Sequence, residues 1–271
     1  MGTLYVVTTP IGNLEDLTLR AMRILSEVGL VAAEDTRQSR KLLTHLGISK
    51  RLVSYNQHNA AARTPRLLET LLTEDVALVT DAGVPAISDP GADLVRAAAE
   101  QGINVIAIPG PSAVTTALSV SGMGGDTFRF VGFPPRAKKA RRELLTTLEA
   151  EPSTLVFFES PHRVRATLED FAAVLGDRTI AVCRELTKLH EEVFRGTSAE
   201  AHAHFDNPRG EFVIVVHGAP PRANVEPDED GARTALATLK AQGQTRRDAV
   251  AQVTDAFAVS KREAYKLWLE I

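Results

Sequence analysis

Glycine, proline and acidic residues are concentrated in four loops, each of which directly follows a predicted β-strand. In an open parallel sheet the carboxyl ends of the strands share one edge, and ligands bind there. We therefore expect the loops to form one site. They comprise residues 9–14, 33–37, 81–91 and 109–113.

The prolines in these loops indicate which ligand the site prefers. Pro85, Pro90, Pro109 and Pro111 fix the backbone and lack an amide donor. Such loops present carbonyl oxygens, which suit an adenine amino group and a cationic sulfonium better than a polyphosphate. The sequence also has no Walker A lysine loop and no GxGxxG segment after the first strand. The alternative, that the loops are only stiff structural turns, stays open at this point.

The elements that must position these loops alternate between strand and helix. Apolar β-branched runs predict the strands, and apolar residues at helical spacing predict the helices. This alternation indicates a mostly parallel sheet covered on both faces. The predicted strands are 4–8, 30–33, 52–55, 76–80 and 104–108, and the predicted helices are 19–28, 37–46, 65–72, 93–101 and 112–121.

A glycine-rich break at residues 122–125 precedes a second α/β set, in which consecutive strands predict a mixed sheet. Its strands are 128–132, 154–158, 179–183, 192–196 and 211–217, and its helices are 138–150, 162–175 and 199–205. Residues 218–231 are rich in proline and acid, which is typical of a linker.

Three short helical patterns end the chain, at 232–241, 246–257 and 261–269. Ser260 and Glu263 have the spacing of a capping box, and the last two helices resemble a helix-turn-helix. The predicted organisation is an N-terminal α/β domain (1–121), a second α/β domain (122–217), a linker (218–231) and a helical extension (232–271).

Composition narrows the class of protein. Of the 271 residues, 44% are hydrophobic and 24% charged, the balance of a globular protein with a substantial core. We find no apolar run long enough for a membrane span and no signal peptide, and we expect a cytoplasmic location. Cys183 is the single cysteine, which excludes an internal disulfide and a thiolate zinc site. We expect no metal.

Basic residues are clustered although the net charge is −3. Five of the seven residues from 136 to 142 are basic, and Arg37 lies beside the second loop. A basic cluster favours contact with nucleic-acid phosphates, and the alternative is a solvated helix face. The candidate RNA-binding residues are Arg37, Arg136, Lys138, Lys139, Arg141 and Arg142.

Seven long motifs stand out in the chain: LYVVTTPIGNLEDLTLRA, AAEDTRQSRKLL, DAGVPAISDPG, PGPSAVTTALSVSG, FVGFPPR, FFESPHR and RELTKLHEEVFRG. With these motifs the chain resembles the bacterial ribosomal RNA small subunit methyltransferase I family of the tetrapyrrole-methylase superfamily. The resemblance covers residues 3–217 and extends to the terminal helices. Its departures are mild: Thr8 replaces a usual proline, and Thr80 a usual serine.

The resemblance implies S-adenosylmethionine as cofactor, bound in a cleft between the two α/β domains, and 2′-O-methylation of a cytidine ribose in small-subunit (16S) ribosomal RNA. It also implies a homodimer that acts on the assembled or assembling 30S subunit. Carried over position by position, the expected cofactor-binding residues are Pro10, Asp81, Ala82, Gly83, Ala86, Ser112, Ala113, Phe158 and Leu186.

A ribose hydroxyl is a poor nucleophile at neutral pH, so a positioned base would assist its methylation. The candidates near the cleft are Glu34, Asp35, Asp81 and Glu159, with Lys188 as an electrostatic helper. For each of them a structural hydrogen-bonding role is the alternative, and Asp35 and Arg37 could instead hold each other.

Two other functions compete with this interpretation. The same scaffold could methylate a tetrapyrrole or another small acceptor, although the basic cluster and helical extension would then have no purpose. A non-enzymatic nucleic-acid-binding module would use the terminal helices but would not need the loops at the sheet edge.

Overall fold

A computed structural model describes residues 1–220, 228–257 and 259–271. The chain forms two compact units, Met1–Gly218 and Ala219–Ile271. The first unit contains both predicted sheets, and the second contains the terminal helices.

The first sheet contains the strands β1 (Thr3–Val7), β2 (Leu30–Ala33), β3 (Arg51–Ser54), β4 (Val76–Val79) and β5 (Asn104–Ile108), and its helices are α1 (Leu19–Glu27), α2 (Thr36–His45), α3 (Ala60–Leu71), α4 (Ala92–Glu100) and α5 (Ala113–Ser121). The sheet is entirely parallel and has the strand order β3-β2-β4-β1-β5. Because β1 and β4 are neighbours in its centre, the loops that follow them lie side by side.

The second sheet contains the strands β6 (Phe128–Gly132), β7 (Thr154–Glu159), β8 (Thr179–Arg184), β9 (Glu192–Thr197) and β10 (Phe212–Val216), and its helices are α6 (Lys138–Thr147), α7 (Val164–Leu175) and α8 (Ser198–His204). The sheet is mixed, as predicted, with the order β6-β7-β10-β8-β9 and a parallel β6–β7 pair. Helix α5 packs on this sheet, since Val114 and Ala117 share an apolar cluster with Val156 and Val213. The end of the first α/β set is thereby fixed to the second sheet.

The predicted elements agree with the observed ones to within two residues at all but three boundaries. Helix α6 ends at Thr147, three residues before its predicted end. Helix α3 begins at Ala60, five residues before its predicted start, and holds Pro65 in its interior. Proline is common in the first turn of a helix, and for that reason Pro65 was a misleading start signal. Helix α9 begins at Glu229, inside the predicted linker, of which residues 221–227 lie outside the described residues.

The second unit is a small helical bundle of α9 (Glu229–Ala241), α10 (Arg246–Ala256) and α11 (Lys261–Glu270). Leu236, Val250, Val253 and Leu267 form part of its apolar core. The predicted capping box is present, because the Ser260 side chain accepts from the Glu263 amide while Glu263 accepts from the Ser260 amide. None of the helices in the described ranges is both long and apolar enough to span a membrane.

Candidate active site

A cavity of about 420 Å³ lies at the carboxyl ends of the first sheet's strands and is closed on its other side by the second sheet. Its volume lies within the range of about 300–1,000 Å³ that is usual for small-molecule sites. The first-sheet wall comes from the loops after β1, β2, β4 and β5, and the opposite wall includes Phe133, Phe158, Leu186 and Glu211. The four predicted loops therefore do converge.

The loop over residues 81–91 has an unusual backbone. Gly83 has φ +84°, and the non-glycine residues Ala86 and Ser88 have φ +68° and +63°. Side chains rarely adopt these angles, and such backbone strain is concentrated at functional sites. The loop is fixed to its neighbour by paired backbone bonds between Thr9 and Gly83, with N···O distances of 2.9 and 3.0 Å.

Seven of the nine expected cofactor-binding residues line the cavity. The other two, Pro10 and Ala86, lie in the same loops, directly beside the lining residues Ile11 and Ile87. The seven are Asp81, Ala82, Gly83, Ser112, Ala113, Phe158 and Leu186.

Glu34 connects two of the loops. Its Oε2 accepts a hydrogen bond from the Thr80 hydroxyl at 2.6 Å and another from the Asp81 amide at 3.3 Å. The Asp81 carboxylate in turn accepts from the Asp35 amide at 3.1 Å. Burial raises the pKa of Asp81, and the neighbouring charges of Glu34 and Asp35 add to this effect.

Asp89 is a third cavity-lining carboxylate in this region, and sequence reasoning did not select it. Burial, together with the nearby charges of Glu34 and Asp81, raises its pKa to about 6, although the Thr80 hydroxyl opposes the shift. Asp89 lies in the motif DAGVPAISDPG, eight residues after Asp81, and this position is the sequence signal that could have identified it.

Asp35 and Arg37 hold each other, which was the stated alternative to a catalytic role for Asp35. Arg37 Nη2 lies 2.6 Å from Asp35 Oδ2, and Arg37 Nε lies 3.0 Å from Asp35 Oδ1. The Arg37 hydrogen bond lowers the pKa of Asp35 to about 2, which makes this carboxylate a weak base. The Arg37 side chain is 86% exposed and stays accessible to a ligand.

Glu159 and Lys188 are engaged in structural contacts. The Glu159 carboxylate is fully buried and accepts from the Thr167 hydroxyl at 2.6 Å and the Ser160 amide at 2.8 Å. Lys188 Nζ lies 2.8 Å from Glu185 Oε1 and 2.7 Å from Glu211 Oε2. Partial burial opposes the charged form of Lys188, but the bonds to Glu185 and Glu211 prevail and raise its pKa.

The structure corrects the RNA-binding prediction for Arg141. This residue is 4% exposed, and its Nη2 lies 2.5 Å from Asp170 Oδ2. Arg142 Nε lies 2.6 Å from the other oxygen, Asp170 Oδ1. Burial alone would raise the pKa of Asp170, but the hydrogen bonds from Arg142 and Arg141 outweigh it and lower that pKa. Arg136, Lys138 and Lys139 are exposed, as an RNA contact requires.

The family described as Tetrapyrrole (Corrin/Porphyrin) Methylases matches residues 3–202. The two sheets around the cavity therefore belong to a methylase of the tetrapyrrole type. A crystal structure of diphthine synthase superposes with a TM-score of 0.63 at 16% identity, covering 80% of this chain and 90% of that one. Uroporphyrin-III-C-methyltransferase from Thermus thermophilus gives 0.56 at 22% identity, covering 80% and 94%. These two likenesses support the fold alone.

Closer relatives specify the family. Proteins named ribosomal RNA small subunit methyltransferase I are 46% identical in Halalkalibacterium halodurans, over 98% of this chain and 94% of the relative, and 43% identical in Escherichia coli O157:H7, over 99% and 95%. The Thermotoga maritima relative is 49% identical over 80% of this chain and 99% of its own length. The chain belongs to the ribosomal RNA small subunit methyltransferase I family. The predicted family, fold class and enzyme class are thereby confirmed.

Proposed function

We propose that this enzyme transfers a methyl group from S-adenosylmethionine to the 2′-hydroxyl of a cytidine ribose in 16S ribosomal RNA. The observation that carries the proposal is the cavity at the sheet edge, which is lined by seven of the residues expected from the family motifs. Relatives at 43–49% identity that are named for this RNA support the choice of substrate.

The cavity fits the proposed cofactor in size and chemistry. Apolar side chains such as Ile11, Val84 and Leu186 offer surface for an adenine ring, and Asp81 offers a carboxylate for a cationic group. Gly83 leaves room for close approach, since among the described residues, apart from its two chain neighbours, only Ile11 Cγ2 lies within 4 Å of the place where its Cβ would be.

When bound, S-adenosylmethionine supplies a methyl group already activated by its sulfonium. The remaining tasks belong to the protein: to align the ribose oxygen with that carbon and to accept the hydroxyl proton. Loops fixed by the Thr9–Gly83 and Glu34–Thr80 bonds are suited to alignment.

Asp89 is our candidate for the proton acceptor, with Glu34 as the second. A base is most effective when its pKa lies near the working pH, and the pKa of Asp89 is raised to about 6. Asp35, Glu159 and Lys188, which the sequence also suggested, are assigned supporting roles because their polar atoms are engaged by Arg37, by Thr167 and by Glu185 with Glu211.

Methylation of a tetrapyrrole remains the alternative function on this scaffold. The names of the relatives and the exposed cations Arg136, Lys138 and Lys139 on the protein surface favour a polyanionic substrate instead. We further propose that the enzyme is cytoplasmic, forms a homodimer and recognises its RNA within the assembled or assembling 30S subunit.

The deciding experiment uses cofactor with a labelled methyl group and three acceptors: 30S subunits from a strain that lacks this gene, free 16S RNA, and a tetrapyrrole precursor. We expect label in the subunits, and mass mapping should place it on one cytidine ribose. Label in the tetrapyrrole alone would overturn the proposal. Light scattering of the purified protein tests the dimer separately.

A further inference from the structure

Phe133 is an exposed aromatic residue at the cavity wall. Its side chain is 54% exposed, and it follows Gly132, whose φ of +77° ends strand β6. The Phe133 ring lies 5.6 Å from the Phe158 ring at 64°, and Phe158 lies 4.9 Å from Phe130 at 65°. The three rings form an edge-to-face series that runs from the second sheet's face to the cavity, with Phe133 at its open end.

The segment after Phe133 is held rigidly by two arginines. The Arg163 guanidinium donates to the Pro134 carbonyl, and Arg141 Nη1 donates to the carbonyls of Pro135 at 3.4 Å and Arg136 at 3.2 Å. Arg141 is itself fixed by the buried Asp170. An apolar surface that is kept in place while exposed to water favours a binding partner, because little ordering entropy is lost on contact.

Charge identifies the kind of partner. Arg136, Lys138 and Lys139 are exposed and follow Phe133 within six residues. The side chains of Lys138 and Lys139 are 56% and 91% exposed, and their acidic neighbours lie at 3.3 and 4.0 Å. Pairs this exposed contribute little energy and exchange readily for phosphate contacts. An aromatic face beside cations is the pattern that binds single-stranded nucleic acid.

We infer that Phe133 is the stacking surface for the base of an unpaired nucleotide whose ribose enters the cavity, while Arg136, Lys138 and Lys139 contact the adjoining phosphates. This inference rests on the proposed function. A paired nucleotide lies within a base stack, and enzymes that modify one usually bind it splayed out against aromatic side chains. Arg141 then acts as a positioning residue that holds the loop.

The test compares Phe133→Ala, Phe133→Leu and Phe133→Trp with the control Phe128→Ala. Phe128 is also exposed, at 42%, but lies at the opposite end of β6. We expect Phe133→Ala to raise KM for 30S subunits by about five-fold to a hundred-fold, the range that base–aromatic stacking supplies. Phe133→Leu should raise KM nearly as much, because leucine is apolar but cannot stack on a base. Phe133→Trp and Phe128→Ala should keep the wild-type KM.

Two further measurements separate stacking from other roles. Cofactor affinity measured by calorimetry should be unchanged in Phe128→Ala, and in the Phe133 variants it should change far less than the KM for the subunits does. The dependence of subunit binding on salt should keep its slope in Phe133→Ala, because no phosphate contact is lost, and should flatten when Arg136 and Lys139 are replaced by Ala.

Several results would overturn the inference. These are wild-type KM in Phe133→Ala, full rescue by leucine, or dissociation of the oligomer with unchanged KM, which would assign Phe133 to a protein interface. Failure of the proposed function is distinct from all of these, because the wild-type protein would then transfer no methyl group to the subunits.

Discussion

The two walls of the cavity differ in their aromatic side chains and in the way they are held. The first-sheet wall carries Glu34, Asp81 and Asp89 on loops with strained backbone angles and is fixed mainly by backbone and carboxylate hydrogen bonds. The second-sheet wall carries Phe133 and Phe158, and its carboxylates Glu159 and Glu211 are engaged by Thr167 and Lys188. The segment after Phe133 is fixed by the buried Arg141 and the partly buried Arg163. We interpret the first, acidic wall as the side of the proton acceptor and the Phe133 edge of the second, aromatic wall as the side of the RNA, with the cofactor in contact with both walls.

Two arginine–aspartate pairs near the cavity differ in how far their side chains are exposed to solvent. Arg37 and Asp35 have side chains that are 86% and 25% exposed, so that Arg37 can exchange its partner for a phosphate. Arg141 and Asp170 are 5% and 0% exposed and serve the architecture of the aromatic wall. A basic residue near a site therefore acts on the ligand or on the loop according to its burial.

The largest effect is expected on the acidic wall, from Gly83→Val. A β-branched residue at φ +84° is strongly disfavoured, and its side chain would project into the cavity. We expect a folded protein without detectable cofactor binding by calorimetry. Gly102→Val is the matched control, with φ +70° at a glycine between α4 and β5. Unchanged affinity in Gly83→Val would remove this loop from the site.

Asp89→Asn should slow methyl transfer by about 10²- to 10⁴-fold, the usual contribution of a general base. The wild-type rate should fall as pH decreases through about 6, because the Asp89 carboxylate becomes protonated. This acid limb should be absent from the residual activity of the variant. If Asp89→Asn keeps both the wild-type rate and the acid limb of the pH profile, Glu34 becomes the candidate for the proton acceptor.

The same variant should be more stable at neutral pH. The carboxyl has a higher pKa in the folded state, about 6, than its usual 3.8, so its ionisation costs stability as pH rises through that window. Asn removes the cost, which we expect to raise the free energy of unfolding by about 1–2 kcal/mol at pH 7.5 and to leave it unchanged below pH ~3.5. Urea titrations at the two pH values check this sign.

On the aromatic wall, Asp170→Ala should destabilise the first unit by about 3–5 kcal/mol, because Arg141 remains buried without its counter-charge. Asp93→Ala is the control, since Asp93 and Arg96 form a pair in which both side chains are 69% exposed. Thermal unfolding measures the difference. Equal melting temperatures for the two variants would mean that Arg141 finds another partner.

The smallest effect is expected from Arg136→Ala combined with Lys139→Ala. Each lost phosphate contact should reduce the slope of log affinity against log salt by about 0.7–0.9. Cofactor affinity should not change. Arg66→Ala, an exposed arginine on α3, is the control and should keep the wild-type slope. An unchanged slope in the double variant would assign these side chains to a solvated helix face.

The sequence by itself determined the elements, the family and the edge of the sheet at which the site lies. These properties depend on local signals: apolar runs of strand length, helical spacing, and motifs such as DAGVPAISDPG that keep their residues adjacent in the chain. For this reason β2, β5 and β6 have their predicted bounds and the four loops meet at one cavity.

Only the tertiary structure decided which charged groups are available to a ligand. Arg136 and Arg141 look alike in sequence, but Arg141 is neutralised by Asp170, 29 residues away, whereas Arg136 is exposed. Glu159 and Asp89 likewise both line the cavity, yet the Glu159 carboxylate is already bound by the Thr167 hydroxyl and by Arg163. Burial and pairing depend on residues distant in the chain, and a carboxylate or guanidinium changes its role when water is removed from around it.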